Sequence, residues 1–350
     1  MSEFLVLLYY HYAVIRDTSS IVQHQHDLCE SLQLKGRIRV ANEGINGCLS
    51  GLADAIHQYI NSFENDPEYA PLKAKGNVHW KIGYPNTTSN IPLERQQFDK
   101  LSVKVTKEVV SLNLSAEEME VVKSVAPGIH LQPLDFHNML RNESQDDIVV
   151  LDVRNVYETQ IGHFDYYNSV GEVGSAIDPC TRSYSDFAEW CKRNKEVLKG
   201  DKTNAKPKKI LMYCTGGVRC ERASQYVKSV LLAEDEKSLA ENVFQLYGGI
   251  QNYMDTLGEK GTLFRGKNFV YDNRIAVGSE VVGSCVVCAG SFDDYSYQTR
   301  CTKCRMLLLG NVTHSFTHTR IYSLTHSFTY SLTHSLTHSL THSLTHLLTH

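Results

Sequence analysis

Lys209-Ile210-Leu211-Met212-Tyr213-Cys214-Thr215-Gly216-Gly217-Val218-Arg219-Cys220-Glu221 decides how this chain is read. Lys209–Tyr213 reads as a short, continuously apolar strand, the pattern of a parallel sheet covered on both faces. It runs straight into a glycine turn, and Glu221–Leu232 reads as the helix that follows. A loop at the carboxyl end of a parallel strand opens into the crevice where open α/β sheets bind ligands. Gly216 and Gly217 let the backbone curl so that several N–H groups point inward. Such a nest at a helix N-terminus favours an anion. The anion at hand is the thiolate of Cys214, whose pKa is expected below that of a free thiol. Arg219 adds positive charge at the far end of the loop. Cys214 is therefore the expected catalytic group, with Thr215, Gly216, Gly217, Val218 and Arg219 as its loop.

The spacing adds chemistry. Cys-x5-Arg makes a loop wide enough for a phosphate, as in cysteine phosphatases. Here the spacing is Cys-x4-Arg, one residue tighter, which suits a single sulfur atom added to the cysteine as a persulfide. Cys220 follows near the first turn of the helix. It could resolve an oxidised Cys214 as a disulfide, or be a half-buried helix cysteine.

Working outward, Ile148–Val153 and Val243–Leu246 read as further strands of the same sheet. Ser185–Leu198 reads as a helix, and Gly248-Gly249 opens another. Strands alternating with helices predict an open, mostly parallel α/β sheet over residues 129–265. Asp152 and Arg154 end one strand and are expected to anchor loops by hydrogen bonds. Glu158 is expected to support the same loops. The role of His163 stays open.

Upstream, Phe4–Ile15, Arg37–Ala41, Cys48–Ser50, Val78–Ile82 and Val103–Val110 read as strands. Gly44 and Gly47 read as a turn. Ser19–Leu32 and Ala53–Phe63 have helical spacing. The order β-α-β-β-α-β is that of a ferredoxin-like, acylphosphatase-like α+β domain, expected over residues 1–112 with a linker at 113–128. The apolar run Phe4–Ile15 has no basic residue before it and no small-residue cleavage site after it. It is also too short to span a bilayer, so it reads as a buried strand and no membrane partner is expected.

Downstream, Cys285-x-x-Cys288 and Cys301-x-x-Cys304 stand twelve residues apart. Four thiolates in two knuckles can close a tetrahedral, structural zinc site, expected within residues 266–309. Residues 310–350 cycle through Ser-Leu-Thr-His, as a translated tetranucleotide repeat would. Disorder is expected there, and the repeat accounts for its histidines. The formal charge of -4, from 35 basic and 39 acidic residues, gives no global bias toward nucleic acid, so any RNA site must be a local patch. Ten cysteines in these spacings suit metal binding and catalysis in a reducing compartment, and a cytoplasmic location is expected.

Several of these motifs carry a family resemblance. Leu151-Asp152-Val153-Arg154-Asn155, Tyr157-Glu158, Ile161-Gly162-His163-Phe164, the Cys214 loop and Tyr247-Gly248-Gly249-Ile250 resemble a rhodanese domain. Ala41-Asn42-Glu43-Gly44-Ile45-Asn46-Gly47 and Gly266-Lys267-Asn268-Phe269-Val270-Tyr271-Asp272 resemble a narrower group, the tRNA uridine hydroxylases, which convert the wobble uridine to 5-hydroxyuridine using oxygen. The resemblance covers about residues 4 to 309. It departs at an apparent insertion, about Asp165 to Val173, and at the repeat tail. It implies that Cys214 is catalytic and that tRNA is a partner. Arg37, Arg39, Lys73, Lys75, Lys81, Lys104 and Lys107 could then form an RNA-facing patch. Two other functions remain open. One is a generic sulfurtransferase that passes sulfane sulfur from thiosulfate or a persulfide to an acceptor thiol. The other is a noncatalytic, zinc-dependent binding module, against which the intact Cys214 argues.

Overall fold

The computed structural model describes residues 4–69, 78–87, 91–144, 147–167, 171, 173–199, 208–258, 261–295, 299–301 and 303–310. Residues 311–350 of the repeat tail, Lys73 and Lys75 lie outside these residues.

The N-terminal elements are β1 (Phe4–Tyr12), α1 (Thr18–Ser31), β2 (Lys35–Ala41), β3 (Gly44–Leu52), α2 (Ala53–Asn65), β4 (Lys81–Gly83) and β5 (Leu101–Val105). Their sheet has the order β4-β1-β3-β2-β5. It is antiparallel throughout except for the β2–β5 pair. This is the expected ferredoxin-like arrangement with a fifth strand added. One face is covered by the helices: Leu5, Leu7 and Tyr9 of β1 join Ile21, Ile38, Tyr59, Phe63 and Tyr69 in one core. Its polar centre is satisfied internally, because the hydroxyls of Tyr9 and Tyr59 meet each other and the amide of Gln25.

The expected turn at Gly44 and Gly47 is instead part of β3, and Asn42-Glu43 makes the reversal between β2 and β3. Gly47 serves a neighbour and not a bend. It pairs with Tyr9, and a Cβ there would lie 2.3 Å from the Tyr9 ring.

Residues expected as a linker, 113–128, carry α3 (Ala116–Ser124). Ser115 and Glu118 form a reciprocal capping box, which satisfies two of the unpaired amides at the helix start. Val122 joins the core of the next sheet. That unit contains β6 (Ile129–Leu131), α4 (Pro133–Asn142), β7 (Ile148–Asp152), α5 (Val156–Thr159), β8 (Gly162–Tyr167), β9 (Val173–Ser175), α6 (Phe187–Arg193), α7 (Lys195–Lys199), β10 (Lys209–Tyr213), α8 (Val218–Ala233), α9 (Lys237–Glu241), β11 (Val243–Leu246), α10 (Gly249–Leu257) and β12 (Phe264–Gly266). Its main sheet is parallel with the order β6-β11-β10-β7. Both faces are buried: Ile210 and Met212 belong to one apolar cluster, Leu211 and Tyr213 to another. This is the strand pattern the apolar run of β10 predicts.

The helix expected over Ser185–Leu198 is broken at Asn194. Its side-chain amide bonds the Trp190 carbonyl at 2.9 Å, and such local bonding competes with a continuing helix. At the apparent insertion, Asp165, Tyr166 and Tyr167 of β8 pair with Ser175, Gly174 and Val173 of β9. Two further short strands, β13 (Asn268–Phe269) and β14 (Ala276–Val277), pair with each other.

The described residues from Val282 to Gly310 belong to a separate compact unit. Among the described residues no helix is long and apolar enough to cross a membrane.

Candidate active site

Cys214 directly follows β10, and α8 begins at Val218, three residues earlier than the sequence reading placed it. The helix N-terminus therefore points directly at the thiol. Gly217 makes this possible, since as N-cap it adopts φ +94°, a left-handed conformation that costs glycine little. Its amide donates to Cys214 Sγ at 3.1 Å. Burial alone pushes the Cys214 thiol up. The Cys220 thiol, the Arg219 guanidinium and the loop amides of Cys220 and Arg219 override it and bring the thiol from its ordinary 9.0 down to about 5. Burial and the Cys214 charge push Cys220 the other way, well above the ordinary thiol range. Cys220 is thus a protonated donor to the thiolate.

The Tyr247-Gly248-Gly249 turn closes the loop from behind. Ile250 and Gln251 donate their amides to the carbonyls of Cys214 and Thr215. Gly249 sits at φ +69°, and a Cβ there would lie 2.5 Å from Cys214 O and 2.7 Å from the amides of Gly216 and Gly217. Gly249→Ala is therefore expected to destabilise the fold by roughly 1–3 kcal/mol and to slow alkylation of Cys214. Urea unfolding and thiol kinetics on the same preparation check both.

The expected supporting residues do more than anchor loops. Glu158 is fully buried, and its carboxylate receives both terminal nitrogens of Arg219 at 2.7 Å. It also accepts from Thr215 Oγ1 at 3.1 Å, Tyr271 Oη at 2.7 Å and the Asn155 amide at 3.0 Å. Burial opposes its charge, and Arg219 outweighs burial, so the carboxyl is held below its ordinary range. Asp152 receives Arg154 in the same forked manner, and Arg154 reaches on to the Gly162 carbonyl. Arg219 is therefore a charge paired with Glu158 that still favours the Cys214 thiolate, as the sequence suggested. His163 bonds Thr159 O and Asp165 and is not among the residues that line the cavity described next.

The roof of the loop comes from the second face of the N-terminal sheet. Leu8, Tyr10 and Tyr12 alternate with the core residues of β1. Leu8 packs on Gly216 and Tyr10 on Gly217. Tyr12 Oη donates to Val218 O at 3.4 Å. Glu43, in the β2–β3 reversal, accepts from Arg222 of α8 at 2.7 Å and from the Val109 amide at 3.1 Å. The Glu43 turn is thus a docking element. Between roof and loop lies a cavity of about 590 Å³ lined by Cys214, Thr215, Gly216 and Arg219 below, Arg37, Arg39, Asn46 and Cys48 above, and Tyr157, Arg182, Tyr184 and Tyr271 at the sides. The Glu43-Gly44-Ile45-Asn46-Gly47 stretch suits close approach to another surface, either a substrate or the neighbouring domain, and here it meets that domain; the part of the roof made by β1 was not foreseen.

With that geometry in place, the chain can be compared with known proteins. Residues 4–109 match the family described as UPF0176 acylphosphatase like domain, and residues 265–314 match the one described as Rhodanase C-terminal. The tRNA uridine(34) hydroxylase of Onion yellows phytoplasma is 37% identical over 276 residues, covering 79% of this chain and 75% of that protein. The chain belongs to the tRNA uridine(34) hydroxylase family. Another member, from Bacillus mycoides, is 36% identical over 272 residues, covering 78% of this chain and 72% of its own. Rhodanese-like domain-containing protein 6 of Arabidopsis thaliana is 36% identical over 315 residues, which cover 88% of this chain and half of that longer protein. In the terms of this family, the first sheet is the acylphosphatase-like domain and the parallel sheet the rhodanese-like domain.

The paired cysteines lie in the separate unit. Cys285 and Cys301 are buried, Cys288 and Cys304 exposed. Both pairs make the same turn. The amides of Ala289 and Arg305 return to the carbonyls of Cys285 and Cys301, and both residues take positive φ. Among the described residues, no three or more His, Cys, Asp or Glu side chains are grouped as a metal site.

Proposed function

We propose that this chain is a tRNA-modifying enzyme that acts on the wobble uridine through Cys214, forming 5-hydroxyuridine. One observation carries the reading: a thiolate at the floor of a cavity whose roof belongs to the other domain. A cavity walled by tyrosines and asparagines, with Arg37, Arg39 and Arg182 at its margin, suits a single nucleotide drawn out of a loop. Bases stack on aromatic rings and phosphates pair with arginine. Lys81 is not part of such a surface, being 4% exposed. Nucleosides from cells lacking the protein should lose 5-hydroxyuridine, and wild type but not Cys214→Ser should restore it. An unchanged nucleoside profile would leave a sulfurtransferase that takes sulfane sulfur from thiosulfate or a persulfide. Arg37→Ala with Arg39→Ala should weaken tRNA binding and flatten its log–log salt dependence by roughly 1.4, the value for two single-strand phosphate contacts. An undiminished salt slope would remove both arginines from the RNA path.

We also propose that Cys285, Cys288, Cys301 and Cys304 hold one structural zinc. The matched turns support it. The Val287 amide points at Cys285 Sγ at 3.4 Å. Burial raises the Cys301 thiol, but the amides of Cys304, Lys303 and Arg305 outweigh it and lower the pKa. Both features prepare thiolates for a metal, which would tie the two turns together and supply no chemistry. Elemental analysis should find about one zinc per chain, lost in Cys301→Ser. A metal-free protein with the same melting curve would remove the zinc.

A further inference from the structure

The cations buried around the Cys214 loop are almost all committed. Arg219 is paired with Glu158, Arg154 with Asp152, and Arg222 with Glu43, each with an N–O distance of 2.7 Å. Lys81 is the exception. It is 4% exposed, and its Nζ has no hydrogen-bond partner among the described residues.

Its place in the fold says where the charge points. The chain from His79 through β4 alternates as a strand does: Trp80 and Ile82 pack on the helix-covered core, which leaves His79, Lys81 and Gly83 for the other face. A Cβ on Gly83 would meet Arg274, and His79 meets Gly248, so this face lies on the rhodanese-like domain. Lys81 pairs in register with Leu8, the residue packed on Gly216. Its ammonium lies 4.8 Å from the centre of the Tyr10 ring, and Tyr10 is packed on Gly217. The lysine is thus held against the loop that cradles Cys214 by the two residues that roof it.

We propose that Lys81 is a positioning residue for the anion at Cys214, a charge that the acylphosphatase-like domain contributes to the thiol of the rhodanese-like domain. An ammonium without a carboxylate partner is costly to bury. It becomes tolerable when an anion forms beside it, and by reciprocity it favours that anion. The same anion is what the loop amides stabilise from below, so the thiolate is held from both domains and is complete only when they are docked. The other groups facing Lys81 are few. Glu221 of α8 lends it part of its charge, but that carboxylate already receives His130 at 2.7 Å, with Gln245 and Tyr10 at 3.3 Å. His79 stays neutral, since burial and then Lys81 itself push it down to about 4. Burial brings Lys81 down to about 8, opposed first by Cys214 and then by Glu221. Facing Cys214 itself are Cys220 and Arg219 of α8, Tyr10 of β1 and Tyr184.

The inference rests on Cys214 being the reactive thiol, and its test separates the two. Iodoacetamide alkylation is followed against pH in the full chain for wild type, Lys81→Met, Lys81→Arg and Cys214→Ser. Lys81→Met keeps the length and loses the charge. Its Cys214 midpoint is expected to rise by about one pH unit, a tenfold change in the ionisation equilibrium. Lys81→Arg, if it melts like wild type, should hold the midpoint. A specifically labelled Lys81 should titrate at lower pH in Cys214→Ser than in wild type, a readout that a merely structural lysine would not give. If Lys81→Met melts like wild type and its midpoint does not move, the proposal is overturned while Cys214 stands. If Cys214→Ser leaves the fast thiol in place, the reading beneath it falls instead.

Discussion

Glu158→Gln is expected to cost roughly 3–5 kcal/mol of folding stability, the penalty for stranding one partner of a buried ion pair. The change keeps the shape of the side chain and removes only its charge. Arg219, 5% exposed, would then hold its guanidinium in the core with no carboxylate. Thr215 and Tyr271, which also donate to Glu158, would lose the stronger of their acceptors. The loss should appear in urea unfolding as a lower midpoint with an unchanged slope. Glu158→Leu with Arg219→Met removes both charges at similar volume, and such replacements often recover stability. In that double variant stability should return while the Cys214 midpoint rises, since Arg219 is among the groups that hold the thiolate. A single variant as stable as wild type would mean that Arg219 reaches water and needs no partner.

That pair also marks where sequence reading stops. Glu158 was legible as a loop support, because it follows the Asp152 strand end. Its partner was not, since Arg219 lies 61 residues away and only the fold brings them together. Elements with a local cause were legible: the apolar run of β10, the glycine loop, and the β-α-β-β-α-β order. Boundaries moved where a single side chain decided them, as Asn194 did in breaking one helix. The roof over Cys214 left a signal that was not used. β1 is apolar at both parities, Val6 and Leu8 as well as Leu5, Leu7 and Tyr9, and a strand without alternation is one buried on both faces. An open ferredoxin-like sheet would show polar residues there. Read that way, β1 announces a second domain against its free face. Lys81 leaves the surface patch only through the register, which sets it opposite Leu8 on that covered face.

Wild-type stability is expected to climb between pH 6 and pH 8, and Cys214→Ser should flatten the climb. The folded Cys214 titrates at about 5 against an ordinary 9.0. Between those values the unfolded thiol holds a proton that the folded one has released. Stability therefore rises with pH across the window, by at most about 1.4 kcal/mol per unit. The contribution is complete above the unfolded value and is lost as pH falls through the folded one. His130 works in the opposite sense, because its hydrogen bond to Glu221 raises its pKa against burial. Its contribution is present at low pH and fades as pH rises. Comparing the two proteins at each pH, both carrying Lys81→Met, cancels His130, since the substitution leaves Glu221 in place, and removes the lysine whose titration Cys214 shifts. The measurement is the urea midpoint at pH 6, 7 and 8 for both. The gap between the two should widen at each step. A constant gap would mean that Cys214 keeps its proton throughout, and the nest of amides beneath it would then be packing alone.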